Sequence, residues 1–325
     1  MVDRMGLLVD HRRTIRIGIV VLAFLAVFVA LDWWTFNFQV LPGVVTWYPP
    51  DALVFALLLT LGPEFAPLFM IASLISSVYI YQFDAPLFGL LIWAVILALV
   101  YGLAAWFLRR IRFDPQLQRT RDVLWLIIIA AGVSLILATV STFGSVASGI
   151  IPESERFTAL SRWWLGELTG VLAIPPAFLM HVMPAVMLWI DRGFRFDRQS
   201  VRMPSGRVIG QTLALLATLF LILKLNWPGN LEPIFLSALP LIWIALQFGL
   251  SGISLAIVAV NFVIMMTPWI FQIDPTHLVS LQVQLLIVSA ASLVNGSIIS
   301  ENRHSKSTSD YLTASEILRR QQQVA

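Results

Sequence analysis

Positive charge in this chain is confined to a few places, and that restricts its possible folds more than any motif does. There are only two lysines, Lys224 and Lys306, and 17 of the 19 arginines fall into four short clusters. The clusters are Arg4/12/13/16, Arg109/110/112/119/121, Arg192/195/198/202/207 and Arg303/319/320, leaving Arg156 and Arg162 apart. Long apolar, nearly uncharged stretches separate them. Basic loops between apolar runs are what the positive-inside rule produces in a protein that crosses the inner membrane many times. With 58% hydrophobic and 12% charged residues, the chain also lacks the polar surface a soluble globule of its size would need.

The isoelectric point near 9.6 invites a nucleic-acid reading. The placement of the charge argues against it, because arginines flanking spans anchor to anionic headgroups and set topology. No cysteine is present, which excludes disulfides, thiolate metal sites and cysteine nucleophiles. Residues 17–30 are apolar after a basic start, as in a signal peptide. They lack a small-residue cleavage site, however, and end in the interfacial Asp32-Trp33-Trp34, so they read as a retained span.

About 20 apolar residues cross a bilayer, fewer when the ends are anchored by tryptophan. Candidate spans lie at 17–32, 51–62, 66–81, 87–108, 123–147, 163–190, 209–225, 235–248, 252–269 and 279–300. From a cytoplasmic Arg16, this order returns each basic cluster to the same side. Segments 51–62 and 235–248 are short, and each turns tightly, at Gly62-Pro63-Glu64 and at Gly249-Leu250-Ser251-Gly252. Each with its successor is either two full spans or a re-entrant hairpin. The fold class expected is an all-α integral membrane bundle of 8–10 transmembrane helices, with both termini cytoplasmic. Residues 17–108 and 209–300 have similar lengths and spacing, displaced by about 190 residues, which suggests a parallel internal repeat. Residues 1–16 form an N-terminal cytoplasmic segment, 17–303 the membrane domain and 304–325 a cytoplasmic linker.

A charge inside lipid costs roughly 3 kcal/mol on insertion scales, so each one needs a reason. Glu167 sits about one turn inside the sixth span, between Gly166 and Gly170, whose GxxxG spacing lets another backbone approach closely. Pro175-Pro176 follows and is expected to break the helix, freeing carbonyls for a packed interior or a wet cavity. Two readings of Glu167 are open: a ligand or ion pocket facing the outer side, or a structural interhelical hydrogen bond. Lys224 either snorkels to the interface or pairs with Glu167. Asp51, after Trp47-Tyr48-Pro49-Pro50, suits a helix N-terminus and could share the same cavity. Trp47, Trp163, Trp164 and Gln282 complete the candidate ligand set, with Asp274, His277 and Gln284 adding polarity at the outer end of the last span.

Other features support plainer roles. Asn261 and Asn295 suit interhelical hydrogen bonding. The small residues of span five, from Gly132 to Gly149, suit tight helix packing. His181 and His277 fall on opposite sides, which argues against a bis-histidine haem. Without a phosphate-binding loop, metal cluster or nucleophile constellation, neither a cofactor nor catalysis is expected within this chain.

Four stretches in order carry a resemblance. They are Trp47-Tyr48-Pro49-Pro50-Asp51-Ala52-Leu53; Trp163-Trp164-Leu165-Gly166-Glu167-Leu168-Thr169-Gly170 running on to Pro175; Leu239-Pro240 through Phe248-Gly249; and Leu281-Gln282 leading to Glu301-Asn302-Arg303. Together, over about 17–303, they resemble the first of the membrane-associated sensor (MASE-type) domain families of bacterial signalling proteins. The resemblance implies a membrane input module for a cytoplasmic diguanylate cyclase, cyclic-di-GMP phosphodiesterase or histidine kinase, and a homodimer. It also maps the family's acidic position onto Glu167. The residue following the family's Trp-x-Pro-x motif is usually small or hydroxylated, whereas Asp51 stands nearby here. The polar tail from Ser300, with Leu312, Ile317 and Leu318 at helical spacing, reads as a linker cut before its output domain. The expected partners are the bilayer and a small ligand or membrane protein, with no nucleic acid. The competing readings are a small-molecule transporter and a partner-binding membrane scaffold.

Overall fold

The computed structural model describes residues 2–82, 87–192, 206–224, 236–271 and 278–324. Helices dominate: α1 (Val2–Thr35), α2 (Pro49–Leu61), α3 (Ala66–Ile75), α4 (Leu87–Arg110), α5 (Thr120–Ala147), α6 (Arg156–Ala177), α7 (Met183–Arg192), α8 (Gly206–Lys224), α9 (Ala238–Phe271) and α10 (Leu278–Val324). Two short strands, β1 (Gln39–Leu41) and β2 (Val44–Val45), pair antiparallel. The Asp274-Pro275-Thr276-His277 stretch, the Asn226-Trp227-Pro228-Gly229 loop and the third arginine cluster beyond Arg192 lie outside the described residues or side chains.

Among the described residues, seven helical stretches are long and apolar enough to cross a membrane, and Pro49–Leu61 and Gly210–Leu221 are shorter apolar helices. The chain is a polytopic helical membrane protein. α4 shows the construction. Leu90, Ala94, Leu97, Tyr101, Ala105 and Leu108 recur at helical spacing and are buried, whereas Leu91, Val95, Leu99, Leu103 and Trp106 are exposed. An exposed face this apolar is suited to hydrocarbon, not to water. α2 is the opposite case: every residue from Pro49 to Leu59 is buried. It begins on two prolines with Asp51 in its first turn, and its 13 residues reach only about 20 Å. It is a short central helix held on all sides by protein.

Contacts tie the basic segments together at one end of the bundle. Arg16 donates to the Ile190 carbonyl at 3.1 Å, and Arg13 pairs with Asp191 at 3.4 Å. The Thr120 N–H at the start of α5 donates to Glu301 Oε2 at 2.9 Å, two residues before Arg303 in α10. At the far end, Val44, Ile151 and Ala159 form a small apolar cap with Trp163.

The suspected internal repeat has a structural counterpart. Gly62 (φ +135°) and Gly249 (φ +60°) each reverse a short buried-side helix into the next one. At Gly249 the chain doubles back: a Cβ on Gly252 would lie 3.1 Å from Ile244 Cγ2, whereas eight residues in a straight helix are about 12 Å apart. So α9 is a hairpin of 238–248 and 250–271. In each unit an arginine of the last helix reaches the carbonyls that end the short helix. Arg109 donates to Thr60 O at 3.0 Å, and Arg303 donates to Gln247 O at 2.9 Å and to Leu246 O. Likewise Gly102 packs on Ala66 and Gly296 packs on Ile253. The hairpin positions are displaced by 187 residues (62 to 249) and the last-helix positions by 194 (109 to 303).

One expectation fails. Pro175 and Pro176 do not break the sixth span. α6 runs through both to Ala177 and continues as a π-helical turn, Phe178–Val182, into α7. The prolines leave the Val171 and Leu172 carbonyls without their usual donors, and the wider turn that follows carries the chain on into α7 without a break.

Candidate functional site

The GxxxG face of α6 determines what surrounds Glu167. A Cβ on Gly166 would overlap the Val45 carbonyl, and one on Gly170 would sit 2.5 Å from Tyr48 O. The close partner is not another helix but the segment that leaves β2, which also donates Tyr48 N–H to Gly166 O at 3.3 Å. The β-hairpin therefore dips into the bundle and delivers Tyr48 and the start of α2 alongside α6. Asp51, in the first turn of α2, is thereby brought to the same cavity wall as Glu167. Tyr101 of α4 donates its hydroxyl to Glu167 Oε1.

Above the two acids lies a cavity of about 360 Å³ bounded by α1 to α6. Asp51, Glu167, Tyr48 and Tyr81 contribute polar groups, with Ser73 of α3, Ser76 and Ser77 just after it, Ser141 and Ser145 of α5, and Ser148 just beyond its end. Phe28, Phe69, Leu97, Trp93 and Trp163 supply apolar wall. A third acid stands behind it. Asp32 at the end of α1 is fully buried, and Tyr81 donates to its Oδ1 at 3.1 Å. Asp32 Oδ2 and Ser76 Oγ, though neighbours, are buried without a hydrogen bond of ordinary geometry.

The residues singled out in the sequence therefore separate. Asp51, Glu167 and Trp163 line the cavity. Trp47 does not: it is buried against Trp34, which in turn stacks on Phe262 of α9 at 5.9 Å. Trp164 turns towards α5 and donates its indole N–H to Ala131 O at 3.3 Å. Gln282, near the start of α10, donates to Thr46 O, in the segment seated on Gly166 and Gly170. The Lys224 side chain lies outside the described residues. Gly166 and Gly170 are packing positions, and Pro175 and Pro176 lie buried in a continuous helix.

Three contributors went unnoticed in the sequence. Tyr101 sits among leucines and alanines in α4, and only its spacing from Leu97 and Leu108 marks it as inward. Asp32 looked interfacial because it precedes Trp33-Trp34. The small residues of α5 were expected to pack tightly, yet a Cβ on Gly132 or Gly144 would meet nothing within 4 Å, and Gly144 faces the cavity. The plainer roles of other residues are visible too. Asn261 donates to Ile257 O at 2.8 Å and reaches Ser289 Oγ of α10 at 3.5 Å, and His181 Nε2 lies 3.0 Å from Ser251 O.

The fold is thus a polytopic helical bundle with a partly open cavity, two of whose lining residues are buried acids. The family model MASE1 matches residues 17–303. The chain belongs to the MASE1 family, membrane-associated sensor domains of signalling proteins. No curated protein and no solved structure matched the chain.

Proposed function

We propose that this chain is the sensory input domain of a bacterial signalling protein, that its stimulus is a ligand held in the cavity above Asp51 and Glu167, and that α10 carries the signal out. The single observation behind this is the Gln282–Thr46 hydrogen bond. It joins the first turns of α10 to the segment that supplies Val45, Tyr48 and Asp51 to the cavity wall. A ligand that displaces this segment displaces the outer end of α10. At the basic end α10 is held to α9 by Ser300, which accepts from Leu250 N–H at 2.8 Å, and by Arg303, and to α5 by Glu301. From Arg303 the helix continues to Val324, roughly 30 Å further. A rigid rod pinned at two levels transmits a shift between two packed states better than a flexible connection would.

In this reading the basic end is cytoplasmic, the membrane is the bacterial inner membrane, and the α10 extension leads to a diguanylate cyclase, a cyclic-di-GMP phosphodiesterase or a histidine kinase. The test is Gln282→Leu in the full-length signalling protein. Ligand affinity should stay within about two-fold while the response of the output domain is lost. An unchanged response with normal expression would exclude α10 coupling through Thr46.

A further inference from the structure

We infer that the cavity takes a protonated organic amine with an aromatic or aliphatic body. The inference deepens the proposal above and depends on the cavity being the ligand site. Its wall carries Asp51 and Glu167, 4% and 2% exposed, and Asp32, fully buried, stands directly behind Tyr81. Among the described residues lining the cavity there is no arginine, lysine or histidine. Three carboxyl groups thus stand in or directly behind a wall that offers no cation of its own among its described residues. A carboxylate buried there without a counter-charge is unfavourable. The ammonium of a ligand would supply the counter-charge through charge-assisted hydrogen bonds. Ser76 Oγ, buried on the same wall with no hydrogen bond of ordinary geometry, leaves a second acceptor.

The remaining lining selects what is attached to the nitrogen. Phe28, Phe69, Trp93 and Trp163 offer ring faces to a cation and apolar surface to its body. No described group of three acidic or histidine side chains could hold a metal ion. A bare ion would also leave most of the 360 Å³ unfilled, whereas that volume lies in the range of small-molecule pockets. The hydroxyl and carboxyl acceptors favour a nitrogen bearing N–H donors over a fully alkylated one.

The full chain in zwitterionic nanodiscs tests this with 2-phenylethylamine, hexylamine, the neutral 2-phenylethanol and the anionic 3-phenylpropionate, read by equilibrium binding and by Tm. The amines should bind best. Glu167→Gln should weaken them at least about ten-fold while changing 2-phenylethanol less than about two-fold. Gly144→Leu, which builds into open space on the cavity wall, should remove binding without lowering Tm. If Glu167→Gln misfolds, Asp51→Asn gives the same comparison. Preference for the alcohol or the acid, blocked by Gly144→Leu, would overturn the amine assignment and leave the cavity as the ligand site. Binding by no probe, or binding that Gly144→Leu leaves intact, would overturn both.

Discussion

The two hairpin units, 49–110 and 238–303, are built alike and lined differently. Each turns on a positive-φ glycine, packs a glycine of its last helix against the second arm of its hairpin, and ends its short arm under an arginine from that last helix. At positions displaced by 187 and 194 residues, the chemistry departs. The first unit has Asp51, Ser73, Ser76, Ser77 and Tyr101, where the second has Ala238, Val260, Val263, Ile264 and Asn295. The second unit buries uncharged polar residues, Asn261, Ser289 and Ser292 among them, and its last helix leads out of the membrane domain. The first, with α5 and α6, encloses the acids. Under the function proposed above, the same backbone device serves a site in one unit and transmission in the other, and α6 packs against both.

Substitutions can separate what the units share from what they do not. The largest effect is expected where α6 meets the segment leading into the first unit. Gly166→Leu or Gly170→Leu would drive a side chain into backbone carbonyls and cost about 3 kcal/mol or more, read as loss of monodisperse protein and a collapse of Tm. Next come the turn glycines: Gly62→Ala and Gly249→Ala should each cost about 1–3 kcal/mol by thermal unfolding. Because a Cβ on Gly249 also meets Ser300 Oγ, Ser300→Ala should recover part of that loss and none of the loss at Gly62. A lack of rescue would mean the second turn is not held against α10. Arg303→Ala, which removes two donors, should cost about 1 kcal/mol, and Arg109→Ala less, since both side chains are exposed. The smallest effect is a gain: Gly144→Ala should raise stability by about 0.5–1 kcal/mol, because the helix loses a glycine and the new methyl meets nothing.

Much of the fold was legible in the sequence because charge and hydropathy act at the length scale of whole spans. The arginine clusters, the two tight turns and the displacement of about 190 residues are all properties of segments. The site was legible only in part, since it depends on rotation about helix axes and on what a close-packing face meets. Glu167 stood out because a carboxylate in an apolar span is costly. Asp32 and Tyr101 did not, the first hidden by the interfacial tryptophans beside it and the second by a phenol's tolerance of apolar surroundings. Gly166 and Gly170 announced a close approach without naming the partner, which proved to be an extended segment and not a helix. Pro175-Pro176 misled because a π-helical turn can absorb two missing donors without ending a helix.

The central claim is that the state of the cavity is felt at the far end of α10. The most direct test is amide hydrogen exchange over residues 304–324 in the natural chain, in Gly144→Leu and in Gly144→Leu combined with Gln282→Leu. Filling the cavity should change exchange in that stretch by at least about three-fold, and cutting the Gln282–Thr46 link should return it to the natural value. Identical exchange in all three proteins, with Gly144→Leu folded and its cavity closed to ligand, would contradict the account.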